Sequence, residues 1–473
     1  VRLRPSGAYG EHNPKRHVGS NHQRYEEGDA TWLFSTDMSL NAVLEERTVV
    51  LRGRVTFMLG ADDPITESLA ALASRFLDET RRYWSDWTRE LAIPFEWQAA
   101  VIRAAITLKL CSFEDTGAVV AALTTSIPEA KNSGRNWDYR YCWLRDSYFT
   151  IQALNRLGAT RTMEGYLHYI TNVFTAARDA PLQPVYGISG EPQLTEIISS
   201  HLLGYRGMGP VRIGNQAFEQ TQHDVYGAVI LAAMQSFFDQ RLAAPGDVTL
   251  FQRLEIAGER CWNLYDQPDA GIWEYRGRVR VHTFSSVMCW AGVDRLARIA
   301  RHLSLPERES VWRQRASQMH GRILAACWDQ QLGCFTEAWQ APAVDASVLL
   351  LAELNFVKAE DPKFVATVDY VGKHLRRGPY LFRYTAHDDF GAPENAFNIC
   401  TFWYINALAA VGRRDEAREI FNNMLKRCNG LGLLSEDLDP ATGELWGNYP
   451  QTYSMVGIIN SATRLSCPWE DAL

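Results

Sequence analysis

A chain of 473 residues is longer than one hydrophobic core usually supports, so a large domain plus a smaller one is expected. Its 46% hydrophobic and 22% charged residues are ordinary globular material, and a net charge of −7 leaves no basic face for a nucleic-acid backbone. No apolar stretch approaches the roughly 18 residues that a membrane span requires.

Residues 1–61 differ from everything after them. Thr48-Val-Val-Leu-Arg-Gly-Arg-Val-Thr-Phe-Met-Leu-Gly60 is β-branched and alternating, and Thr31-Trp-Leu-Phe-Ser is a second β-like run. Two strands do not make a stable sheet alone. Val1-Arg-Leu-Arg-Pro also has neither an initiator Met nor a signal-peptide core, so the segment reads as the truncated end of a β domain. Asp62-Asp-Pro-Ile-Thr then opens the helical region, 62–473.

Helical runs follow in pairs: 64–92 with 96–113, 146–157 with 161–177, 218–240 with 247–266, 282–303 with 306–328, 343–356 with 361–378, and 396–412 with 414–428. A last run, 451–465, stands alone. Connections within pairs are mostly short, as in Leu157-Gly-Ala-Thr160, whereas those between pairs are long and hold nearly every polar-aromatic cluster. If the helices alternate up and down, the long connections share one rim.

That rim gathers Arg135-Asn-Trp-Asp-Tyr-Arg-Tyr-Cys-Trp143-Leu-Arg145-Asp146, Gly204-Tyr-Arg-Gly with Gly214-Asn215 and Gln222-His-Asp, and Gly271-Ile-Trp273-Glu274-Tyr275-Arg. It also gathers Phe382-Arg383-Tyr384 with Glu394-Asn-Ala-Phe397, and Ser435-Glu436-Asp-Leu-Asp439-Pro with Gly443-Glu-Leu-Trp446. Taken alone, Glu274 reads as a solvated loop acid paired to Arg276 or Arg278, Asp146 as a helix cap, and His223 as a core-satisfied histidine. Asp439-Pro440 with Gly443 reads as a tight turn presenting Glu436. Two carboxylates in an aromatic-lined cavity are nevertheless what glycosidic hydrolysis needs, one protonated and one ionised. The 15 Trp, 19 Tyr and 20 Phe suit stacking on sugar rings as well as a core.

The nine cysteines show no Cys-x-x-Cys pair, which reads as reduced thiols of a cytoplasmic protein. The eleven histidines show no ligand spacing, so neither a metal nor another cofactor is called for. A homo-oligomer stays open.

Together these segments resemble glycoside hydrolase family 15, the glucoamylase family, and within it the bacterial glucoamylase/trehalase-like branch. The resemblance runs in the same order through essentially the whole helical region. It implies an N-terminal β-sandwich and an (α/α)6 barrel. It also implies Glu274 as general acid and Glu436 as general base, with Trp143, Arg145, Asp146 and Arg383 on the terminal glucose beside Trp273 and Tyr275. Tyr275 and Asp437 stand where other members carry different residues, which bears on substrate preference. The implied reaction is exo-acting, inverting release of β-glucose from α-glucans or maltooligosaccharides. The alternative is α,α-trehalose hydrolysis at the same site. Phosphorolysis or sugar binding without catalysis are the remaining readings, and retention of both acids speaks against them.

Overall fold

The computed structural model describes residues 2–177 and 180–472, so Val1 and Leu473, the outer bounds of the two expected domains, lie outside the described residues. The chain forms two compact units: Val1–Leu91 with Ser199–Leu203, and Ala92–Ile198 with Gly204–Leu473.

The first unit holds one antiparallel sheet in chain order: β1 (Lys15–Val18), β2 (His22–Glu27), β3 (Ala30–Thr36) and β4 (Phe57–Ala61). Tyr25 and Phe34 pack with Leu40 and Val43 of the short helix α1 (Leu40–Leu44) in a small core, and Phe57 stacks on Phe34 at 6.3 Å. The strand expected from Thr48 onwards forms only at Phe57, where it pairs with β3. Helix α2 (Leu69–Arg89) groups with the sheet, beyond the 61/62 boundary that the sequence suggests.

The second unit is a double ring of helices. Six segments make the inner ring: α4 (Leu144–Arg156), α6 (Asp224–Ala233), α9 (Thr283–His302), a 3-10 turn (Ala346–Leu350), α12 (Asn398–Ala410) and α14 (Thr452–Leu465). Each packs against the next, and α14 closes the ring on α4. Around them lie α3 (Gln98–Leu110), α5 (Thr160–Ala177), α8 (Val248–Leu264), α10 (Pro306–Cys327), α11 (Pro362–Leu375) and α13 (Arg414–Leu425), while the single-turn helix α7 (Gln235–Phe238) extends α6. This is the (α/α)6 barrel that the resemblance implies.

Burial explains which helix goes where. Every residue of α6 is buried, because an inner helix is covered on all sides. At the crossing of α6 and α9 the backbones meet at glycine: a Cβ on Gly227 would stand 2.2 Å from the Met288 carbonyl oxygen. One expected pairing is corrected. Run 96–113 pairs not with 64–92 but with the run left alone at the end of the chain, since α3 buries Val101, Ala104, Ala105 and Leu108 and packs on α14. Helix α2 buries only Leu72 over its 21 residues and has no ring face to offer.

The inner helices share one architectural device. Their first N–H groups, orphaned by helix geometry, are accepted by the connecting loops: Leu144 by Pro184 O, Thr283 by Glu337 O, Ala346 by Arg383 O, Asn398 by Glu436 O and Thr452 by Ala121 O, all at 2.8–3.0 Å. Ahead of α6, the His223 N–H donates to Asp269 Oδ2 at 2.8 Å. The long connections are thereby tied to the N-terminal ends of the inner ring. There the partial positive charge of the helix ends favours a cluster of carboxylates.

Candidate active site

The connection into α4 carries Tyr139, Trp143, Arg145 and Asp146, and all four line one pocket with Glu274 and Glu436. Trp143 is buried, and its indole Nε1 donates to Glu274 Oε1 at 2.7 Å. Gln222 Nε2 donates to the same oxygen at 3.1 Å, and Arg145 Nη2 approaches it at 3.5 Å. Three donors thus converge on one carboxyl oxygen and leave Oε2 out of the network. Glu274 is not held by either expected loop arginine: Arg276 pairs with Glu196, and Arg278 lies over the Tyr275 ring.

The backbone at Glu274 is unusual. Its φ is +58°, a left-handed conformation uncommon outside glycine. The turn is held by Glu274 N–H to Gly271 O at 3.1 Å and by Gln220 Nε2 to Glu274 O at 3.0 Å. Gly271, at φ +69°, lies so close to the His282 ring that a Cβ would sit 2.6 Å from it.

Glu436 stands beyond an aromatic wedge. Tyr139 packs edge-on against Trp143 at 5.4 Å, and the Tyr139 hydroxyl donates to Glu436 Oε1 at 2.6 Å. A three-stranded ladder of Ala396–Phe397, Asp437–Leu438 and Leu445–Trp446 fixes the residue, with Glu436 N–H donating to Asn448 O. As expected, Asp439 builds the tight turn, bonding Ala441 N–H and the Thr442 hydroxyl. Burial pushes the Glu436 carboxyl well above the usual carboxylate range, the charge of Glu129 adds to this, and the Tyr139 hydrogen bond and Arg383 oppose it. Glu436 is 1% exposed, which is why burial is the largest cause of the rise.

Arg145 is 5% exposed; Nη1 donates to Gln222 Oε1 at 2.7 Å and to Asp224 Oδ2 at 3.2 Å. Its Nε lies 3.5 Å from Asp146 Oδ2, yet neither atom has a hydrogen-bond partner among the described residues. Asp146 is not the cap of α4; that position is Trp143. Burial lifts the Asp146 carboxyl to about 7, with Arg145 pulling the other way. Arg383 is buried, donates from Nη2 to Glu129 Oε2 at 2.6 Å, and leaves Nε unpartnered among the described residues. Trp273 lines the pocket and donates to Asp345 Oδ2 at 2.6 Å. Tyr275 also lines it but is 4% exposed, its ring stacked on His282 at 5.8 Å and under the Arg278 guanidinium. His223 is buried as expected, but only its Nε2 is partnered, by Pro268 O at 3.2 Å, and Nδ1 has no hydrogen-bond partner among the described residues.

Sequence reading missed Glu129 and gave no role to Gln222 and Asp224. Glu129 holds Arg383 and accepts from Trp137 Nε1 at 2.8 Å, but Pro128-Glu-Ala carries no local signal. Gln222 and Asp224 flank the histidine that drew notice; a polar triplet opening an apolar helix was the available cue. Among the described residues no group of three or more His, Cys, Asp or Glu is placed to hold a metal.

Tyr139→Phe tests the electrostatics. If Glu436 is the base it must be ionised, so activity falls below the pKa of its carboxyl, and removing the hydroxyl donor raises that pKa. The acid limb of kcat/KM is expected to move to higher pH. On its acid side the loss is about tenfold, since a hydrogen bond to a charged group contributes about 1.5–3 kcal/mol. A pH–rate profile reads this directly; an unmoved limb would exclude Glu436 as the group that sets it.

Comparison with known proteins bears on the family and the fold. A trehalase of Thermoplasma volcanium is 34% identical over 393 residues, covering 82% of this chain and 62% of that protein. A trehalase of Mycobacterium tuberculosis is 34% identical over 403 residues, covering 83% and 58%. The chain spans about three-fifths of the length of these curated relatives. In fold it is similar to a bacterial glucoamylase complexed with acarbose, with a TM-score of 0.67 at 15% identity, over 94% of this chain and 73% of that one. It is also similar to a wild-type glycosidase, with a TM-score of 0.62 at 17% identity, over 78% and 96%. Residues 97–463, from the start of the outer ring almost to the end of α14, match the family described as Glycosyl hydrolases family 15, and the chain belongs to that family.

Proposed function

We propose that this chain is the catalytic part of an inverting α-glucoside hydrolase and that α,α-trehalose is its preferred substrate. The observation that carries the hydrolase reading is a buried pair of atoms, Arg145 Nε and Asp146 Oδ2, that has no hydrogen-bond partner among the described residues and lies beside two carboxyls held by separate aromatic donors. A donor and an acceptor 3.5 Å apart suit adjacent sugar hydroxyls. Sugar bound there is fixed between the two acids, so binding energy is converted into orientation.

In the proposed reaction Glu274 donates its Oε2 proton to the glycosidic oxygen while Oε1 accepts from Trp143 and Gln222. Glu436 takes a proton from water as that water attacks C1 from the opposite face. The C1–O bond to the leaving sugar breaks, a C1–O bond to water forms, and solvent exchange resets both carboxyls. A raised pKa makes Glu436 the stronger base once ionised.

Trehalose is placed before maltooligosaccharides because the relatives at 34% identity are trehalases. The glucoamylase-like reading uses the same residues and differs in the second sugar. A panel of trehalose, maltose, isomaltose and soluble starch decides: trehalose should give the largest kcat/KM, and a larger value on starch or maltose would restore the glucoamylase reading. We place the enzyme in the cytoplasm; its free cysteines, buried or half-buried, suit a reducing compartment.

A further inference from the structure

Beyond the carboxyl pair the pocket has an outer wall made by three loops that are fastened to one another. Arg135 forms a two-pronged ion pair with Asp388, at 2.8 Å and 2.6 Å, and both side chains are 6% exposed. Its Nη2 also donates to Gly391 O at 2.7 Å, and the Tyr384 hydroxyl donates to Asp388. The loop carrying Glu274 joins in, with Arg276 N–H donating to Asp389 Oδ2 at 2.8 Å. Gly277 permits this approach, since a Cβ there would stand 2.3 Å from Asp389 Oδ1. Phe390 packs edge-on against Trp137 at 5.0 Å, and the Arg276 guanidinium lies 4.7 Å from the Trp137 ring and 5.7 Å from that of Phe390.

Apart from the two glycines, these groups line the same pocket as Glu274 and Glu436. Trp137 reaches back to Glu129, which holds Arg383, so one indole spans from the carboxyl end of the pocket to its outer wall. Two aromatic rings with an arginine against both, and an aspartate bonded to that arginine's N–H, form a surface for a pyranose. The rings meet its C–H faces, and the charged groups meet its hydroxyls. None of this is needed to hold the first glucose, which Arg145 and Asp146 address.

We propose that the wall of Trp137, Arg276, Asp389 and Phe390 is the binding site for the second sugar ring, and that its fastening restricts the enzyme to disaccharides. This rests on the glycoside-hydrolase reading but not on which disaccharide is cleaved. A third ring could pass only if the wall opened, and opening it separates a buried two-pronged ion pair, which is costly.

Phe390→Ala and Arg276→Met, compared with wild type, test the proposal on two substrates. One is the disaccharide that the wild-type enzyme cleaves best; the other is α-glucosyl fluoride, which has no second ring. The ratio of kcat/KM for the disaccharide to that for the fluoride is expected to fall about tenfold in each variant, the scale of a lost aromatic or charged contact. Wild-type kcat/KM is also expected not to rise from maltose to maltotriose and maltoheptaose. Ratios within about twofold of wild type in both variants, or kcat/KM climbing with chain length, would overturn the proposal. Wild-type turnover of the fluoride reports the first-glucose site and Glu436 without the wall, so a failure of the hydrolase reading shows there and a failure of the wall shows in the ratio.

Discussion

Glu436→Gln is expected to lower kcat/KM by about 10²–10⁴-fold on trehalose and on α-glucosyl fluoride alike, the range for loss of a positioned acid or base. Both reactions need the base to activate water, whereas fluoride departs without a strong proton donor. Glu274→Gln is therefore expected to lose a comparable factor on trehalose while retaining much of its fluoride turnover. The amides keep the hydrogen bonds that matter for the fold: Trp143 still finds an acceptor at position 274, and Tyr139 finds one at 436. The two variants thus separate the roles. If fluoride turnover survived in Glu436→Gln and vanished in Glu274→Gln, acid and base would be exchanged. If both variants kept full activity, the pair would not be catalytic.

The largest expected effect on stability belongs to Arg383. Its guanidinium lies among Glu129, Glu436 and Asp437, and burial drives the Asp437 and Glu436 carboxyls upward against its attraction. Arg383→Met leaves this group of acids without its cation, at a cost of about 3–5 kcal/mol, as when a buried pair loses one partner. The pH dependence has a definite sign. A carboxyl whose folded pKa is raised contributes stability that is present below the unfolded value, near pH 4, and lost as pH rises through the folded value. Removing Arg383 raises the folded values further. The deficit should therefore be largest at pH 8 and shrink towards pH 4, where the carboxyls are protonated in both states. Denaturant midpoints for wild type, Arg383→Met and Arg383→Lys at both pH values measure this, and Lys should recover part of the loss. An equal deficit at both pH values would mean that lost packing, not charge, is the cause.

The helix pairing was legible because inner and outer helices alternate along the chain, each with its own apolar pattern. Closure of the ring was not, because α3 and α14 lie at opposite ends of the second unit and no local signal joins them. The site was legible where chemistry and context share one segment, as with Trp143, Arg145 and Asp146 ahead of α4. Glu129 was not, since its meaning comes from Arg383, 254 residues away. The burial of Glu436 behind Tyr139 was not legible either, because burial is decided by the whole ring.

The central claim is that Glu274 and Glu436 act from opposite faces of one glucose, and the stereochemistry of the first product reads it most directly. Trehalose hydrolysis followed by proton NMR, faster than the anomers interconvert, should show α- and β-glucose appearing in equal amounts. One ring keeps its α configuration and the other is inverted by water. Initial release of α-glucose alone would mean retention, and would contradict the assignment of Glu436 as a base acting on water.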